Sequence, residues 1–77
     1  MSITPDRVRE LDRRAAIATG RLGRARRLTP DNTTLITACR HEAAAARISA
    51  YAGKLLKDLP PLPRTQIHEI VEVLRAA

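Results

Sequence analysis

Val8, Leu11, Ala15, Ala18, Leu22 and Ala25 recur at alternating spacings of four and three. That period keeps apolar groups on one side of an α-helix and does not match the two-residue alternation of a strand, so this stretch is constrained to be a helix packed along its length. Its start is marked just upstream. Thr4-Pro5-Asp6 offers a side chain to cap free N–H groups, a proline where a missing N–H is harmless, and an acid facing the positive end of the helix dipole. The pattern predicts a first helix over residues 5–28. Gly20 and Gly23 fall off the seam. Each weakens the helix by about 1 kcal/mol relative to alanine, so a kink or frayed end there is the alternative to a continuous element.

The same punctuation returns as Thr29-Pro30-Asp31, predicting a second helix over residues 30–58 joined to the first at Leu28-Thr29. Leu35, Ala38, Ala45, Ile48, Ala52, Leu55 and Leu59 form its stripe, widened by Tyr51 and Leu56, and the alanine run inside Glu42–Arg47 has high helix propensity. Two long helices with so short a joint lie antiparallel. Only the start signal repeats; the bodies that follow it share no pattern that would indicate an internal duplication.

Leu59-Pro60-Pro61-Leu62-Pro63 ends the second helix, because successive prolines remove donors and force extended geometry on the residues before them. A rigid corner that returns the chain onto the hairpin is favoured over a proline-rich ligand. The last helix, residues 64–75, gathers Ile67, Ile70, Val71 and Leu74 on one face, and three turns are marginal alone, so that face has to dock. The expected fold is all-α: one domain, a long antiparallel helical hairpin plus a short C-terminal amphipathic helix.

A chain of 77 residues has a thin core, and small domains recruit disulfides, metals or a second copy. Cys39 is the only cysteine, which excludes an intrachain disulfide and reads as a small apolar residue in a reducing cytosol. With His41 and His68 it makes too few ligands for a closed zinc site. Tyr51 is the only aromatic residue besides the histidines, so the core is built from aliphatics and many alanines, which bury little area each. Self-association remains, and a homodimer forming a bundle of four long helices is the expected assembly, with Val8, Leu11, Ala15, Ala18, Leu22 and Ala25 as its candidate seam. The opening residues lack the apolar stretch of a signal peptide, and no run approaches the roughly 20 residues of a membrane span. The expected location is the cytoplasm, with no membrane partner.

Hydrolytic or transfer chemistry needs a nucleophile beside a base, or paired carboxylates, and neither pattern is present; no cofactor or small-molecule substrate is expected. Gly20-Arg21-Leu22-Gly23 lacks the spacing and preceding strand of a phosphate loop. His41-Glu42 and His68-Glu69 lack a second histidine at metalloprotease spacing and read as helix-surface residues. Charge has a direction. Residues 1–28 hold eight arginines against three acids, a balance of +5, whereas the remainder is at +1. Arg21, Arg24, Arg26 and Arg27 concentrate at the end of the first helix, where cations complement the dipole and where a nucleic-acid backbone can be met. The competing reading is a solvated helix end in an arginine-rich chain, with twelve arginines against two lysines. No aromatic platform for single strands and no short recognition helix accompany the cluster.

From Leu35 to Leu74 the chain carries Ala38-Cys39-Arg40-His41-Glu42 and Ala46-Arg47, then Pro60-Pro61-Leu62, then Gln66-Ile67 opening a helix that closes with Leu74-Arg75. In these features it resembles small uncharacterised helical proteins of actinobacterial phages, prophages and mobile elements. Those proteins commonly place a threonine and acids where this chain has Pro63, Arg64 and Thr65. The resemblance implies an origin rather than an activity. The expected function is a non-enzymatic helical interaction protein that binds a host or phage protein, the alternative being a basic nucleic-acid-binding accessory or regulatory protein.

Overall fold

The computed structural model describes residues 3–76 and folds them into three helices: α1 (Pro5–Leu28), α2 (Thr33–Leu56) and α3 (Arg64–Ala76), with no strand among the described residues. Met1 and Ser2, the head of the segment read for a leader, lie outside them. α1 begins as its sequence directs: the Arg7 N–H donates to Thr4 Oγ1 at 3.2 Å, and the helix continues unbroken through Gly20 and Gly23.

The second Thr-Pro-Asp does different work, which corrects the expected start of α2 from residue 30 to Thr33. Thr29 closes α1, its N–H and its hydroxyl both donating to the Ala25 carbonyl at 2.9 Å. A hydroxyl committed to the helix behind it cannot cap the helix ahead. Pro30 and Asp31 make a turn closed by the Asn32 N–H on the Thr29 carbonyl at 3.0 Å, where the fixed φ of proline suits the first central position. Asn32 then caps α2, its side-chain oxygen accepting from the Leu35 N–H at 3.0 Å. α2 ends at Leu56 rather than 58, with the Leu59 N–H turning back onto the Leu56 carbonyl before the prolines.

α1 and α2 pack on each other as the expected hairpin. On α1 the covered apolar residues are the six of the anticipated seam. On α2 the covered side is a different one: Ile36, Cys39, Ala43, Ala46, Ala50 and Gly53, again at spacings of three and four. Of the larger stripe read from the sequence, Leu35, Ala38, Ala45, Ile48, Tyr51, Leu55 and Leu59 are exposed, while Ala52 and Leu56 are partly covered. The physical reason is fit. Bulky seam side chains of α1 face small positions of α2: a Cβ at Gly53 would meet Leu11, Ile3 and Val8 within 4 Å. Along the seam Ala15, Ala18, Ala43 and Ala46 let the backbones approach. Ala18 at 2 % exposure and Ala43 at 4 % are the most covered of the buried apolar residues. Large side chains on this face of α2 would hold the helices apart.

α3 lies against neither α1 nor α2, and none of its described residues is buried. This corrects the expectation that the prolines return it to the hairpin. Pro60, Pro61 and Leu62 instead line a hollow with Ile3, Leu11 and Gly53 at the open end of the hairpin. Apolar surface on the strap is thus used beside the seam, and α3 leaves with its own face uncovered. The result is a flat molecule, 45 × 29 × 13 Å.

Candidate interaction surface

Beyond the seam, α2 carries a second periodic row: Thr37, His41, Ala44, Ile48, Tyr51 and Leu55. At 100° per residue this row looks away from α1. Ile48, Tyr51 and Leu55 are 50 %, 66 % and 55 % exposed. Ala38, Ala45, Ala52 and Leu56 continue the apolar surface around the helix. Between Thr37 and Leu56 the charged residues are Arg40, Glu42, Arg47 and Lys54, and all four stand at the edges that border α1.

The edges are themselves organised. Arg40, Arg47 and Lys54 recur every seven residues along one edge, where Lys54 Nζ lies 3.2 Å from Asp12 Oδ1. On the opposite edge Arg21 Nη1 donates to Glu42 Oε1 at 2.8 Å. These pairs bridge α1 and α2 on both sides of the seam. Arg40 and Arg47 form no ion pair among the described residues. Asp12, Ala44, Arg47, Ile48, Tyr51 and Leu55 line an open groove of about 690 Å³ running along this edge.

The expected self-association seam on α1 is occupied by α2 of the same chain, so Val8, Leu11, Ala15, Ala18, Leu22 and Ala25 hold the hairpin together. The four arginines of the basic cluster do not converge. Arg21 is engaged by Glu42, while Arg24, Arg26 and Arg27 are exposed and unpaired among the described residues. Helical geometry sets Arg24 and Arg26 about 160° apart, whereas Arg24, Arg27 and Arg13 share the outer side of α1. Nearer the start of α1, Arg9 pairs with Asp6, and Glu10 accepts from Arg7 at 3.0 Å and from Arg14 at 2.5 Å. The Arg7 hydrogen bond and then the Arg14 charge hold the Glu10 carboxyl below its usual range, against a smaller opposing effect of desolvation.

No group of three or more His, Cys, Asp or Glu side chains converges on a metal-sized space among the described residues, and none of their helices is long and apolar enough to cross a membrane. Cys39 is half-buried in the hairpin seam. His41 sits on the outer row of α2, and His68 Nε2 lies 3.0 Å from Glu72 Oε1 on α3. Compared with protein-family models, curated proteins and solved structures, the chain matches none.

Sequence reasoning missed the division of α2 into a small-residue seam and a large-residue outer row. The signal was present in the charges: Arg40, Arg47 and Lys54 mark one edge and Glu42 the other, which leaves Ile36, Cys39, Ala43, Ala46, Ala50 and Gly53 between them.

Proposed function

We propose that this chain is a non-enzymatic helical interaction protein of the cytoplasm whose working surface is the uncharged outer face of α2. The observation that carries the reading is the placement of Ile48, Tyr51 and Leu55, each at least half exposed on a helix whose charges all border α1. Apolar area of this kind gains free energy only when another apolar surface displaces its water. The partner is a protein that presents an apolar helix face, a second copy included, and the phage or mobile-element origin implied by the resemblance makes a host or phage protein the expected target. Affinity capture tests this. Wild-type protein should retain a nuclease-resistant protein partner that Tyr51→Glu and Leu55→Glu variants of unchanged helicity lose. Identical capture by all three would contradict the reading.

A second reading, a basic nucleic-acid-binding accessory, is favoured by one observation: Arg24, Arg26 and Arg27 have no acidic partner among the described residues. It is weakened because a backbone tracks one face of a helix, and Arg26 lies away from the side that Arg24 and Arg27 share.

A further inference from the structure

We infer that the outer face of α2 is covered by α3 of a second copy, the two chains exchanging their C-terminal helices reciprocally about a two-fold axis. The inference rests on the self-association included in the proposed function and names the segment that performs it.

Area is the first argument. A compact monomer of 8.5 kDa exposes about 4,650 Å² by the usual scaling, whereas this chain exposes 6415 Å². The excess is about 1,750 Å² per chain, and covering it on two chains buries about 3,500 Å², within the range of obligate dimers. Both uncovered faces contribute to it, the outer row of α2 and the Ile67, Ile70, Val71 and Leu74 face of α3.

Length and charge then select the occupant. α3 has 13 residues, about 20 Å of helix, and Ala44 to Leu55 with one residue beyond each end spans about the same. Arg47 lines the groove without an ion pair among the described residues, and Arg40 stands seven residues earlier on the same edge. The competing assembly, α2 antiparallel on α2 of a second copy, is disfavoured by the same row of cations. Two-fold antiparallel pairing sets each edge against itself, so Arg47 would meet Arg47 of the other chain and Arg40 would meet Lys54. Return of α3 to its own α2 is opposed by the strap, because Pro60, Pro61 and Leu62 sit on the Ile3 and Gly53 side of the hairpin, whereas the Tyr51 groove opens on the Asp12 side.

Complementation between two variants of the full chain tests the exchange. Tyr51→Glu spoils the groove and Ile70→Glu spoils the docking helix, and both positions are exposed in the single chain, so the hairpin of each variant should fold, as circular dichroism would verify. By sedimentation equilibrium at micromolar concentration the wild type should weigh twice 8.5 kDa. Each variant alone should associate about 100-fold more weakly or worse, because glutamate would be buried unpaired at both contacts of its dimer. An equimolar mixture should regain a heterodimer, since one sound α3 then meets one sound groove. If Ile70→Glu stays dimeric, or if the mixture stays monomeric although both variants are, the exchange is wrong while self-association stands. A monomeric wild type would overturn the exchange and self-association together, leaving protein capture as the independent test of the interaction role.

Discussion

Leu11 packs directly over Gly53: a Cβ at residue 53 would stand 3.1 Å from Leu11 Cδ1 and 3.2 Å from Ile3 Cδ1. Gly20 and Gly23 are the opposite case, with nothing within 4 Å of an added Cβ. Gly20→Ala and Gly23→Ala should therefore each stabilise the hairpin by about 1 kcal/mol through helix propensity alone. Gly53→Ala should forfeit that gain to crowding and come out near neutral, while Gly53→Leu should destabilise by about 2 kcal/mol through overpacking. Urea melts at one fixed protein concentration measure all four. Equal stabilisation by the three alanines would show that the close approach at residue 53 is not a constraint.

This contrast also explains what the sequence could convey. The six seam positions of α1 were legible because Val8, Leu11 and Leu22 stand among charges that exclude every other face. The seam of α2 was not, because apolar side-chain area ranks Ile48, Tyr51 and Leu55 above Ala43, Ala50 and Gly53, whereas helix packing selects for small size. Thr29-Pro30-Asp31 was misread because a threonine before proline can face either way. Which carbonyl or amide it serves depends on where the previous helix runs out, and only Ala25 in place decides that. The detachment of α3 was illegible, since an amphipathic face announces that it docks without naming the surface.

At the hairpin turn, Asn32 and Thr29 should separate cleanly. Asn32→Ala should cost about 1 kcal/mol and speed hydrogen exchange at the Leu35 amide, which loses its acceptor. Thr29→Ala should leave that amide protected. Faster exchange at Leu35 in the Thr29 variant alone would restore Thr29 as the cap of α2.

Glu10 gives a dependence on pH. Its carboxyl is held below its usual range by Arg7 and then Arg14, so its contribution to stability is fully present above the unfolded-state value and is lost as pH falls through the folded-state value. Carboxyl-detected NMR should find the Glu10 midpoint below that of an unpaired glutamate, and Glu10→Gln should remove the corresponding acid-dependent part of the melt. A midpoint at or above the unpaired value would contradict the Arg7–Glu10–Arg14 arrangement.

The arginines at the end of α1 allow the two functional readings to be weighed. Three phosphate contacts by Arg24, Arg26 and Arg27 would make log K for duplex DNA fall with log salt at a slope of about −3. The protein-interaction reading expects only weak association that physiological salt abolishes. Replacing the three by glutamine should leave helicity and oligomeric mass unchanged under either reading. Tight binding at physiological salt that this variant loses would reverse the ranking.

The central claim is that the uncharged outer face of α2 is covered by a second copy of the chain, and the mass of the free chain in solution addresses it most directly. Sedimentation equilibrium of wild type beside Leu55→Glu, at the same micromolar concentration, should give twice 8.5 kDa for the former and 8.5 kDa for the latter. Equal masses for the two, with equal helicity, would contradict the account.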